Sequence, residues 1–186
     1  LACNYQDLHV GAVSGRYQYF DPAGNSPTGL GTMAFWNYEN LIKTFQSRIR
    51  TITGCCGCIY SVRRAAYTEL APDIISDLVQ PLWVIQKGYR VVFEDRALAY
   101  EETTQSTAEE FSMRVRVVTR AMRGLLSVPD LFKPRKHAWT TFQLLSHKVL
   151  RWLVALFLVV LLATSAALAG RPFYRALLLL QLAFYL

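Results

Sequence analysis

The sequence holds no disulfide framework, no metal-ligand spacing, no internal repeat and no low-complexity segment. It has four cysteines, and three of them, Cys55, Cys56 and Cys58, crowd into one short stretch. A disulfide scaffold needs partners spread along the chain, so this usage fits a reducing compartment. No second Cys or His pair stands at zinc spacing from the cluster, which leaves small packing residues as the local reading. The first residues, Leu1-Ala-Cys-Asn4, are already polar, so no signal peptide is expected there. A start at Leu1 and an end inside an apolar run read as an internal piece of a longer protein.

Acidic residues are the minority, 13 against 20 basic ones, for a net charge of +7. That balance suits nucleic acid, anionic lipid or a phosphorylated substrate. The placement of the charge decides among them. Basic residues concentrate between Arg114 and Arg151, directly before a hydrophobic tail. They abut a membrane-like segment and no stacking platform accompanies them, so the expected partner is a lipid bilayer and no nucleic acid. The length, 186 residues, suffices for one domain with a core plus appended elements.

Residues 8–20 alternate and carry β-formers, predicting a buried strand that runs into the turn-rich segment 21–29. From 33 to 50 the period becomes helical, with Phe35, Tyr38, Leu41 or Ile42, and Phe45 on one apolar face. A short strand is expected at 58–62, a helix at 64–70 ending at Pro72, and another at 78–87 ending at Gly88. Two short strands follow, at 89–93 and 97–100. Strands alternating with helices predict an α/β layer.

A helix starting at Ser106, with Glu109 and Glu110 in its first turn, places Phe111, Val115, Val118, Met122 and Leu125 on one face. Arg116, Arg120 and Arg123 fall opposite, and Arg114 borders the apolar side. Such a basic amphipathic helix reads as a membrane-surface element or a grip on phosphate, and equally as a solvated face. Residues 133–137 form a polar linker, and a helix resumes at 142–150. Residues 153–169 are an uncharged run near the lower limit for spanning a bilayer, with Trp152 at the interface. Gly170-Arg-Pro172 breaks it, and a second apolar segment starts at Phe173. Lys133, Arg135, Lys136, Lys148 and Arg151 outnumber Arg171 and Arg175 across the first span, which puts the α/β part in the cytoplasm.

The central stretch is Thr53-Gly-Cys-Cys-Gly-Cys-Ile-Tyr-Ser-Val-Arg-Arg64, followed by Ser76-Asp77. Its glycines permit a tight turn or a close approach to a ligand. Asp77 has two readings. Asp77-x-x-Gln80 has capping-box spacing, so it can be a helix N-cap; a carboxylate at a helix start can also stand beside a bound ligand.

Several stretches together resemble membrane-bound family 2 glycosyltransferases, the cellulose synthase, hyaluronan synthase and poly-N-acetylglucosamine synthase group. They are Val10-Gly-Ala-Val-Ser-Gly15, Phe35-Trp-Asn-Tyr-Glu39, Gly54-Cys-Cys-Gly57 with Arg63-Arg64, Ser76-Asp77, Gly88-Tyr-Arg-Val-Val-Phe93 with Ala99-Tyr-Glu101, and Ser146-His-Lys-Val-Leu-Arg-Trp152. The resemblance implies an α/β fold: the C-terminal part of a GT-A (Rossmann-like) catalytic domain over 1–105, interfacial helices and linker over 106–150, a transmembrane helix over 151–169 and the start of another over 173–186. It implies a multi-pass protein of the cell (inner) membrane whose cytoplasmic domain moves a sugar from a nucleotide-sugar donor to a glycan or lipid-linked acceptor. Asp77 would be the catalytic base. Gly54, Cys56, Gly57 and Ser76 would line the acceptor, and Arg116 and Arg120 would meet the donor diphosphate. The divalent metal, Mg or Mn, would be held by residues preceding Leu1.

The match has departures. Ser76 replaces the acid that precedes the base, and of the family's Gln-x-x-Arg-Trp motif only Arg116 is matched. Two alternatives therefore stay open: a catalytically inactive relative that binds nucleotide or glycan, and a membrane-anchored scaffold.

Overall fold

The computed structural model describes residues 1–21, 27–103 and 106–185. Two compact units compose it, Leu1–Thr141 and Phe142–Leu186. The first is mixed α/β and is built on three strands. Strand β1 (Val10–Phe20) lies in the middle, antiparallel to β2 (Tyr60–Val62) and parallel to β3 (Arg90–Glu102). The inner half of β1, residues 10–15, is buried throughout, whereas its outer half is only partly covered.

Two register shifts interrupt the β1–β3 pairing, and they fall at Gly11 and Gly15. A Cβ on Gly11 would meet Tyr89 Cβ at 2.5 Å, and one on Gly15 would meet the Ala97 carbonyl oxygen at 2.5 Å. Glycine at these points lets the neighbouring chain close onto β1. At the second shift β1 advances from Ser14 to Arg16 while its partner advances from Phe93 to Leu98. Residues 94–97 therefore bulge out of the pairing. The two strands expected at 89–93 and 97–100 are one strand, because bonding to β1 resumes beyond the bulge.

Helix α1 (Pro27–Ile49) precedes β2, and α2 (Ser76–Gln86) precedes β3. The helix expected at 64–70 is reduced to a single 3-10 turn, Arg64–Ala66, flanked by extended residues Arg63 and Tyr67. Its continuation is blocked by a side chain. The Gln80 amide, oriented to satisfy both contacts, donates to the Thr68 carbonyl at 2.7 Å and accepts the Thr68 N–H at 2.9 Å. Helix α2 stops at Gly88, whose φ of +88° is the left-handed conformation glycine adopts freely.

Helix α3 (Thr107–Leu126) packs on α2 through small residues. Ala121, Gly124 and Leu125 are buried, and the nearest atoms to a Cβ on Gly124 belong to Val79 and Ile74. The apolar face expected for α3 is only partly used. Leu125 is buried, but Phe111, Val115 and Met122 are exposed, since close approach at Gly124 turns a different stripe toward α2. Val13, Ile52, Val79, Leu82, Val84, Val91, Val128 and Leu131 form the core of this unit. Helix α4 (Pro134–Leu144) starts within the expected linker and kinks at His137.

In the second unit a π turn, Leu145–Val149, leads into α5 (Leu150–Trp152), α6 (Val154–Ala167) and α7 (Pro172–Tyr185). Helices α6 and α7 pack on each other. Leu156, Phe157, Val159, Val160, Phe173, Leu180 and Phe184 all face outward. Among the described residues no single helix is long and apolar enough to cross a membrane. Pro134–Trp152 and Val154–Ala167, bent by 58°, qualify only together.

The α2–α3 contact generates the first prediction. Gly124→Ala adds about 1 kcal/mol of helix propensity, but overpacking against Val79 costs about 1–3 kcal/mol. The expected outcome is a lower melting temperature in thermal denaturation. A higher one would contradict the close packing at Gly124.

Candidate functional site

The site is organised by a hydrogen bond that a proline makes available. Pro81 has no N–H, so the carbonyl four residues earlier, that of Asp77, receives no helical donor from it. That carbonyl accepts the Cys55 N–H at 2.7 Å, which docks the cysteine loop onto the first turn of α2. Asp77 is the second residue of α2, the N-cap position is Ile75, and no side chain caps the helix. The capping-box reading is thereby overturned, and Gln80 is instead engaged with Thr68.

The side chain of Asp77 lies against Gly57. A Cβ on Gly57 would stand 3.0 Å from Asp77 Oδ2 and 3.2 Å from the Tyr17 hydroxyl. The missing side chain leaves the room beside that carboxylate. Two further loop amides hold the geometry. The Cys56 N–H donates to Ser14 Oγ at 2.8 Å, and the Cys58 N–H donates to Tyr17 Oη at 3.2 Å. Each belongs to β1, one in its buried half and one in its outer half.

The outer half of β1 also supplies the wall. Tyr17 packs tilted against Trp36 of α1 and Tyr19 stacks on it, at centroid separations of 4.6 and 5.6 Å. Asn40 Nδ2 donates to the Tyr17 carbonyl at 3.1 Å. Glu101 of β3 receives two donors on one oxygen, the Tyr19 hydroxyl at 3.2 Å and the Cys58 thiol at 3.1 Å. Burial raises the ionisation points of both tyrosines, and the Glu101 carboxylate adds to the rise at Tyr19. Burial pushes the Cys55 thiol up to about 12 and the Cys56 thiol up to about 11. Both are therefore neutral packing groups at physiological pH, as the local pattern suggested. Cys58 is exposed and hydrogen-bonded to Glu101.

Helix α1 inverts the expectation from its periodicity. Of the expected apolar face, Tyr38, Leu41 and Phe45 are exposed and Phe35 and Ile42 are half-buried, whereas Thr32, Glu39, Asn40 and Lys43 are buried. The polar face of α1 is the one turned toward β1 and the loop. The Lys43 ammonium sits 5.6 Å from the Trp36 ring centroid.

The sequence-derived residues separate into two groups. Cys56, Gly57 and Asp77 come together, with half-buried Gly54 in the same loop and exposed Ser76 one residue before Asp77. Arg116 and Arg120 are exposed on α3. Arg116 borders a shallow depression with Ala108, Glu109, Ser112 and Met113, and among the described residues no contact links either arginine to Asp77. Arg114, which borders the apolar side of α3, lies over the Phe35 ring with Cζ 5.5 Å from its centroid, paired to Glu110 at 2.6 Å. Tyr17, Tyr19, Asn40, Lys43 and Glu101 were not anticipated as site residues. The signal available for two of them was the polar set Glu39, Asn40 and Lys43 one turn beyond Trp36.

Among the described residues no three His, Cys, Asp or Glu side chains are grouped to hold a metal ion. The resemblance assigns the divalent ion to residues preceding Leu1, and no step below runs through one. No protein-family model matches the chain, and comparison with curated proteins finds no match either.

Thiol chemistry tests the loop. Burial keeps both the Cys55 and the Cys56 thiol protonated at pH 8, and the thiolate is the reactive form. Iodoacetamide is therefore expected to modify Cys3 and Cys58 while Cys55 and Cys56 stay unmodified, as read by peptide mass mapping. Unfolded thiols ionise near 8.5, so the stability these two buried thiols contribute is complete below that pH and lost as pH rises toward 11–12. Labelling of Cys56 as fast as Cys58 would contradict the docked loop.

Proposed function

We propose that the protein is a membrane-bound inverting glycosyltransferase of family 2, moving a sugar from a nucleotide-sugar donor to a glycan or lipid-linked acceptor in polysaccharide biosynthesis. The mixed sheet then belongs to a GT-A domain on the cytoplasmic side of the cell membrane. The observation that carries this reading is the Asp77 carboxylate opposite the absent side chain of Gly57. The same Cys-Gly pair and Asp carry the family resemblance, and the fold brings them within contact of each other although they are twenty residues apart.

The chemistry follows from that placement. An acceptor hydroxyl entering beside Gly57 gives its proton to Asp77. Its oxygen attacks the anomeric carbon, the bond from that carbon to the diphosphate breaks, and the configuration inverts. A base within hydrogen-bond reach is the requirement for this step. Tyr17 and Tyr19, neutral and desolvated, offer hydroxyl and ring surface for a sugar beside the base. Support for the membrane setting comes from the outward apolar side chains of α6 and α7 and from the exposed Phe111, Val115, Met122, Arg116 and Arg120 of α3.

Nucleotide release from a panel of donors, with Mg²⁺ or Mn²⁺ supplied, tests the reading in the detergent-solubilised protein. Asp77→Asn is expected to lower turnover by about 10²–10⁴-fold, the range for loss of a general base, with donor binding retained. Wild-type turnover in that variant would sink the assignment.

Gly57→Ala supplies an independent test. Gly57 has no positive φ, so the backbone accepts alanine, and the residue is exposed. The added methyl occupies the space beside Asp77, so turnover is expected to fall while the melting temperature is unchanged. Full activity with an alanine there would show that the acceptor does not enter by Gly57.

A further inference from the structure

Lys43 is a buried cation that pairs with no described carboxylate within 4.0 Å, although Glu39 is buried one turn before it on α1. It is 7 % exposed, yet among the described residues it forms no ion pair and no hydrogen bond. Three other cations of the first unit are satisfied by backbone carbonyls. Arg63 donates to the carbonyls of Tyr5, Asp7 and Val10, Lys87 to those of Ala66 and Tyr67, and Arg90 to those of Ser47 and Arg50. A buried ammonium left without a countercharge is strongly unfavourable, and a ring face returns only part of the lost hydration. Folding alone gives no reason to keep it.

Its surroundings supply the reason. The ammonium lies over Trp36, whose ring packs on Tyr17, and the Tyr17 hydroxyl borders the Gly57–Asp77 opening. It also reaches the loop: after burial, which raises the Cys55 and Cys56 thiols, the charge of Lys43 is the next largest influence on each and acts to lower it. Lys43 therefore lies beside Trp36, one ring removed from the Tyr17 hydroxyl that borders Gly57 and Asp77.

We propose that Lys43 binds a phosphate oxyanion of the substrate complex, beside Trp36 and the Cys55–Cys56 loop that Asp77 holds in place. The inference rests on the glycosyltransferase reading for the identity of the anion, because a phosphate is the one anionic group that reaction must bring to the site. The donor diphosphate and a phosphate-bearing acceptor share that chemistry. A compact ammonium acts as a point charge toward either.

Isothermal titration calorimetry on the intact protein in detergent, without divalent metal, tests the proposal. The probes are inorganic pyrophosphate and glucose 1-phosphate, and the proteins are wild type, Lys43→Met, Lys43→Arg and Asp77→Asn. Lys43→Met is expected to weaken binding at least tenfold, and Lys43→Arg to keep it within threefold. Asp77→Asn should leave it intact. Methionine matches the length of lysine and removes an unpaired buried charge, so its variant should melt at or above the wild-type temperature.

Greater dependence on Lys43 for pyrophosphate supports the proposal with the donor as source, and for glucose 1-phosphate with the acceptor as source. Absence of binding to wild type, or equal binding to Lys43→Met, overturns it. If both lysine variants fail to fold, Lys43 is a structural residue and the proposal also falls. Phosphate binding that needs Lys43, together with no transfer from any donor, would remove the glycosyltransferase reading alone. Transfer unaffected by Lys43→Met would remove this inference alone.

Discussion

The 2.7 Å hydrogen bond from the Cys55 N–H to the Asp77 carbonyl is the constraint on which the site depends. It exists because a proline stands four residues beyond Asp77, where an ordinary residue would have claimed that carbonyl for the helix. Pro81 is buried, so the α2 backbone passes through the interior with its acceptor aimed at the loop. Two more amides complete the hold, from Cys56 to Ser14 and from Cys58 to Tyr17. The loop is thus positioned by its backbone, and its side chains need mainly to be small. That accounts for the crowd of cysteines and glycines without invoking a redox or metal role, apart from the Cys58 contact with Glu101.

Helix α1 shows what the site asks of its neighbours. Leu30, Tyr38, Leu41 and Phe45 face outward while Glu39, Asn40 and Lys43 are buried, an arrangement that lowers the stability of an isolated fold. Asn40 recovers part of this through the Tyr17 carbonyl. The arrangement makes sense where a polar helix face lines a cleft, since polar groups there are partnered by a ligand as well as by protein. Local rules are broken most where function takes precedence.

This explains which parts were legible in the sequence. Strand β1, the short β2, helix α2 with its terminal glycine, and the α/β class followed from alternation, helical period and turn residues. The fusion of two expected strands into β3 did not, because a bulge spanning residues 94–97 looks locally like a turn. Nor did the loss of the helix at 64–70, which depends on Gln80 taking the backbone of Thr68 from a distance in sequence. In the site, Gly57 and Asp77 were legible as motif residues, but the capping spacing Asp77-x-x-Gln80 pointed locally elsewhere. Lys43 and Asn40 were hidden because period analysis assigns a helix's apolar stripe to the core, and α1 does the reverse.

Electrostatics give the site a direction. Asp77 lies beside Gly57, Glu101 takes the Tyr19 hydroxyl and the Cys58 thiol, and Lys43 lies over Trp36 with Glu39 buried one turn away. A neutral hydroxyl is favoured beside Asp77, where it can give up a proton, and an anion is disfavoured there by two carboxylates. Beside Lys43 the preference reverses. Burial sharpens the contrast, since charges act over longer range where water is excluded. On the proposed reading, a substrate neutral at one end and anionic at the other would be oriented by Asp77, Glu101 and Lys43.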